Sequence, residues 1–148
     1  MAAGAALSVA NLYLLQPLVG TVAREFRATD AAVGQATTWG QIGYAIGLFL
    51  IVPLGDTMER RSLTIRSLVA SVVALLAMSR ADSPLTLSLT AFAVGVTTIT
   101  PQLLVPFAAS IAPPESRGRS VGTVMSGLLL GILLARTVSG ALVAAVGW

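Results

Sequence analysis

Long stretches with almost no charged side chains, joined by short polar links, constrain this chain more than any other feature. Residues 2–23 hold no Asp, Glu, Lys or Arg. Comparable apolar runs recur at 31–54, 62–79, 85–112 and 119–147. A membrane crossing needs roughly 20 mostly apolar residues, and each run approaches or exceeds that length. With 55% of its 148 residues hydrophobic and 10% charged, the chain has too little polar surface to cover a soluble globule. The reading is an all-α, polytopic transmembrane helix bundle: one domain, 1–148, of five spans with the lipid bilayer as solvent. The first run is no signal peptide. It lacks a basic start, is too long for a signal core, and carries Asn11, Gln16 and Pro17 in its middle.

Composition also removes function classes. The chain has no His and no Cys, which excludes disulfides, thiolate chemistry, the usual zinc sites and a His-based triad. No metal, cofactor or catalytic residue is assigned, and an enzyme is not expected, because no nucleophile, acid and base converge. The nine basic residues are all Arg, opposed by six acids, and they are scattered. No run of like charge suggests nucleic acid.

The links between runs carry helix punctuation. Thr29 or Asp30 stands as an N-cap before the second run, and Ser83 caps a helix that starts on Pro84. Pro101 and Pro106 bend the fourth run, where Thr97, Thr98, Thr100 and Gln102 can satisfy carbonyls that the prolines free. The third run is plain Leu, Val and Ala, so it belongs on the lipid-facing periphery. Gly43 and Gly47, like Gly127 and Gly131, are four apart and mark close helix packing, and Gly140 joins them. The second and fourth links hold Arg60, Arg61, Arg66, Arg117 and Arg119; the first and third hold Arg24, Arg27 and Arg80. Positive residues favour the inner side, so the N-terminus is expected inside and Trp148 outside.

Polar side chains within the runs are candidates for lining a central cavity: Asn11, Tyr13, Gln16, Gln35, Trp39, Gln41, Tyr44 and Gln102. The same residues also serve as hydrogen-bonding glue between helices. Arg136, near the middle of the fifth run, costs about 2.5–3.5 kcal/mol there unless paired or wetted. No acid lies inside any run. Its partner is therefore a carbonyl, an amide such as Gln102, water, a substrate anion, or an acid elsewhere; otherwise the side chain snorkels to the interface. A proton carrier, if one is used, must also lie elsewhere.

The link Pro53-Leu54-Gly55-Asp56-Thr57-Met58-Glu59-Arg60-Arg61 reads on charge alone as a tight inner hairpin with a positive anchor. It also resembles the inner-loop signature of the major facilitator superfamily, Gly-x-x-x-Asp-Arg-x-Gly-Arg-Arg. Asp56 matches its acid, and Arg60 and Arg61 its basic pair. Thr57, Glu59 and Val52 depart from it. Asn11-Leu12-Tyr13 with Gln16-Pro17-Leu18 resembles the first helix of bacterial efflux-type permeases. Gly131-x-x-x-Ala135-Arg136-x-x-Ser139-Gly140 is similar to the family's antiporter signature, with Arg136 at its Pro. The buried Arg that many members carry in the fourth helix is absent. The resemblance implies a small-solute or drug efflux permease of the inner membrane working by alternating access. It implies that Gly55, Asp56, Arg60 and Arg61 form a gating latch. It implies partners too: a small-molecule solute, and further helices or a C-terminal half. The other readings are a truncated protein without transport, or a scaffold packing partner helices on its glycines.

Overall fold

A computed structural model describes residues 2–146, with the side chains of all but Asp56, Ala144 and Val146. Among the described residues there is helix and no strand. The first run folds as α1 (Ala2–Tyr13), a 3-10 turn (Gln16–Leu18) and α2 (Val19–Glu25). The break precedes Pro17, whose ring and missing N–H stop the α-helical ladder. α2 ends with Arg27 in the left-handed region, φ 51°, and the Ala28 N–H donates back to the Ala23 carbonyl at 2.9 Å. Next comes α3 (Asp30–Ile51). Of the two candidate caps, Thr29 serves: its hydroxyl accepts from the Ala32 N–H at 3.2 Å. One turn, α4 (Leu54–Thr57), leads into α5 (Arg60–Met78).

α6 (Pro84–Thr97) begins with Ser83 and Thr86 bonding each other's backbone N–H and with Pro84 in the first turn. The chain breaks at Thr98 and resumes as α7 (Thr100–Ile111), where Pro101 occupies the first turn and Pro106 the interior. The threonines do not serve the carbonyls that the prolines free, those of Thr97 and Gln102. Thr97 Oγ1 donates to Ala93 O at 2.9 Å and Thr98 Oγ1 to Val94 O at 2.7 Å, one turn before the break. α8 (Arg117–Val146) follows a second 3-10 turn, Pro114–Ser116.

The expected count of five spans is corrected to four helical units long and apolar enough to cross a membrane: Ala2–Glu25, Arg60–Met78, Pro84–Ile111 and Pro114–Val143. The helix that falls short is α3. Its 22 residues suffice in length, but Gln35, Thr37, Thr38, Gln41 and four glycines dilute its apolar character. The physical reason lies in its place. α3 packs along α6, and a helix that faces protein needs fewer lipid-soluble side chains.

Two parallel helix pairs organise the bundle. α1 lies along α8, with Ala2 against Gly127 and Ala6 against Gly131. α3 lies along α6, with Gly43 against Phe92 and Gly47 against Val96. α5 packs on α6 through small side chains, Ser67, Ser71 and Ala74, and exposes Ile65, Leu68, Val69, Val72, Val73 and Leu76. At one end of the bundle the largest core gathers Leu15, Leu18, Val22, Val33, Met78 and Leu87. Two small clusters close the other end, Ala5–Ala108–Val124 and Leu63–Ile99–Leu103.

Candidate functional site

Helical register divides α3 into three stripes. Val33, Ala36, Gly40, Gly43 and Gly47, spaced three and four apart, form its buried face. Thr37, Gln41, Tyr44 and Leu48 make one flank, and Gln35, Trp39, Ile42 and Ile46 the other. The four polar cavity candidates on α3 therefore do not share one face. Gln35 and Trp39 stand exposed among apolar neighbours, and Trp39 meets the edge of Phe92 at 6.2 Å between ring centres. Gln41 is exposed on the opposite flank, and Tyr13 is half-buried at the end of α1.

Asn11 and Thr37 line a small cavity of about 20 Å³ between α1, α3 and α6, with Leu12, Leu15, Met78 and Val94 also on its walls. That is room for about one water. Thr37 Oγ1 is buried there without a hydrogen-bond partner. Thr37 was not among the expected residues; its place four before Gln41 on a glycine-rich helix is the signal that marks it.

Two polar links cross the parallel pairs, each at a helix break. In the first break Gln16, just before Pro17, accepts through Oε1 from the Arg136 guanidinium of α8. In the second break Gln102, just after Pro101, donates through Nε2 to the Tyr44 hydroxyl of α3 at 2.9 Å. The amide beside Arg136 is thus Gln16 and not Gln102. Arg136 is exposed and lies two-thirds of the way along α8, beyond its middle. At 1.5 Å per residue, about 15 Å separates it from Val146 and about 25 Å from Arg119.

The glycines explain how the pairs come so close. A Cβ added at Gly127 would lie 2.6 Å from the Ala2 carbonyl oxygen, and one at Gly131 would overlap the backbone of Ala6. Gly43 and Gly47 meet the Phe92 and Val96 carbonyls in the same way. Gly95 of α6, absent from the expected set, is as tight: its Cβ would strike the Gly40 carbonyl and come within 2.8 Å of the Tyr44 nitrogen. Gly140 differs, since a Cβ there would meet nothing within 4 Å, so no close approach of the described helices requires a glycine at that position.

In the segment 53–61 Arg60 Nε donates to the Gly55 carbonyl at 3.3 Å. Gly55 is buried, and its Cβ would stand 3.2 Å from Leu103 of α7 and 3.7 Å from Leu63 of α5. Arg61 is exposed. The Asp56 side chain, the acid of the expected latch, lies outside the described residues.

Comparison with known proteins agrees with this architecture. The family model of the Major Facilitator Superfamily matches residues 1–148. The chain is 43% identical, over all of its length and 38% of the relative's, to a protein of Escherichia coli (strain K12) named as the transporter YgaY. It is 35% identical, over 97% of its own length and 33% of the relative's, to a protein of Streptomyces coelicolor also named as a transporter. The chain therefore spans about a third of the length of these relatives. No solved structure matches it.

Proposed function

The chain belongs to the major facilitator superfamily, a family of multi-pass membrane transporters, and on that premise we propose that it forms one wall of a solute pathway working by alternating access. One observation carries the proposal: both interrupted helices, α1–α2 and α6–α7, hold an amide at the break and send it across to a parallel neighbour. Breaks in corresponding helices are where transporters of this kind place their solutes, because unwound backbone is tolerated at membrane depth only beside protein or a wet cavity. Asn11 with Thr37, Tyr44 with Gln102, and Gln16 with Arg136 line the pathway. The transported species is a small solute moved outward. It is not chemically altered.

Alternating access needs a second bundle to rock against. The proposed partner is a further set of helices, as the greater length of the relatives suggests. The segment from Gly55 to Arg61 works as the latch between the two. Its support is the bond from Arg60 to the Gly55 carbonyl and the seat of Gly55 on Leu103, which tie the loop to α7 just beyond its break. The protein sits in the inner membrane with its N-terminus inside.

Efflux measurement tests the reading. Cells expressing the chain together with its proposed second bundle should lose a loaded dye faster than cells expressing a Gln102→Leu variant at equal membrane levels. Equal rates would remove the breaks from the pathway. A periplasm-dependent reporter fused after Ala28, in the link behind the first span, should be active; an inactive fusion would reverse the orientation.

A further inference from the structure

Among the described residues Arg136 is the cation that lies farthest inside an apolar helix, and its polar surroundings are neutral. The partner that the structure gives it is the Gln16 side-chain oxygen. A guanidinium presents five N–H donors in a flat fork, and an amide oxygen answers a small part of them. The six acids lie at helix ends or in links: Glu25, Asp30, Asp56, Glu59, Asp82 and Glu115. Leu133, Leu134 and Val138 around Arg136 are exposed and apolar. A charge held this way is costly, and the group that would offset it best is a planar or tetrahedral oxyanion taken two-pronged. Arg136 is itself exposed, so such a group can reach it.

We infer that Arg136, steadied by Gln16, binds an oxyanion, a carboxylate or phosphate-type group, so that the solute carried is an organic anion. This rests on the pathway reading above and specifies its chemistry. The second link, Gln102 with Tyr44, holds no charge and takes the uncharged remainder of the solute. A solute anion and a lipid headgroup phosphate share the required chemistry, and the experiment separates them.

The full chain is purified into nanodiscs of phosphatidylcholine, which has no net charge. Benzoate and inorganic phosphate are the probes and benzamide the uncharged control, with binding read by calorimetry. Benzoate should bind. Arg136→Gln should weaken it about tenfold, the loss of a charge-assisted pair, and leave benzamide unchanged. Arg136→Lys keeps the charge without the fork and should fall between the two. Helix content by circular dichroism must match the wild type. Should Arg136→Gln prove misfolded, Gln16→Ala is the second variant and should weaken benzoate by a smaller factor.

Benzoate binding equally to wild type and Arg136→Gln overturns the inference. So does failure of both benzoate and phosphate to bind the folded wild type, or an equal loss of benzoate and benzamide in the variant. Replacing part of the lipid by phosphatidylglycerol identifies the source. Displacement of benzoate makes the headgroup phosphate the natural occupant, and undiminished binding makes it a soluble anion. Arg136-dependent binding without flux of benzoate in sealed vesicles leaves the anion site standing and removes the transport reading. Flux of neutral solutes without Arg136-dependent binding does the reverse.

Discussion

Where α3 meets α6, glycines come from both helices; where α1 meets α8, they come from α8 alone. Gly40, Gly43 and Gly47 interlock with Gly95, and the opposing backbone belongs to the second half of α6. Gly127 and Gly131 instead rest on Ala2 and Ala6, in the first two turns of α1. Both pairs run parallel, and both stand beside a proline break crossed by a glutamine. The first ends in a neutral Tyr44 and the second in a charged Arg136. One backbone arrangement thus serves two chemistries. Packing is set by the absent Cβ, and the chemistry by the single side chain that the break's amide finds. Without a hydrophobic driving force in lipid, close backbone approach is what holds such pairs together.

The largest expected effect comes from breaking the interlocked pair. Gly95→Leu places a side chain into the backbone of Gly40 and Tyr44, in the middle of α3, where that helix cannot yield without moving the core. The cost should be about 3 kcal/mol or more in reversible unfolding from mixed micelles, or complete loss of folded protein. Gly131→Ala should cost less, about 1–2 kcal/mol, because the first turns of α1 can shift away from α8 without disturbing the break after Tyr13. If Gly131→Ala proves as damaging as Gly95→Leu, the two pairs are equally rigid and the contrast drawn between them fails.

Much of this was legible from residue order. Thr29, Ser83 and Pro84 mark helix starts by local chemistry, and Pro17 and Pro101 mark breaks because a missing N–H acts within one turn. The pairs Gly43/Gly47 and Gly127/Gly131 declare a small-residue face through their spacing. Their neighbours do not show, since Phe92 and Val96 lie about 50 residues away and Ala2 and Ala6 about 125. Gly95 escaped notice for the same reason: no second glycine stands four residues from it, and its tight contact is on another helix. Arg136 was visible as an anomaly, but its bond to Gln16 spans 120 residues and depends on α1 and α8 running parallel. The polarity of α3 was visible too. Its consequence, that this helix misses the apolarity of a lipid-facing span, needed its place along α6.

The neutral link gives the next, smaller effect. Tyr44→Phe keeps the ring and removes the hydroxyl that Gln102 bonds at 2.9 Å. Hydrogen bonds between membrane helices average about 0.6 kcal/mol, so unfolding should shift by about that amount. The charged link should respond differently. Arg136→Gln removes a costly charge along with its bond, so its stability should change little while anion binding falls. A stability loss of several kcal/mol in Arg136→Gln would mean that the guanidinium is a structural strut, and the chemical contrast between the pairs would disappear.

The smallest effect is the most informative about glycine itself. Gly140 lies on α8, nine residues past Gly131, yet a Cβ there would meet open space. If close approach and not residue type makes glycine matter, Gly140→Ala should leave unfolding unchanged to within about 0.5 kcal/mol, or raise stability slightly, since alanine is the better helix former. Measured beside Gly131→Ala in the same micelles, it is a control on the same helix in the same lipid. A loss at Gly140 comparable to that at Gly131 would show a helix outside these residues pressed against that face. The proposed second bundle would be the first place to look for it, because Gly140 lies only four residues past Arg136, in the part of α8 where an incoming helix would also have to accommodate the bound anion.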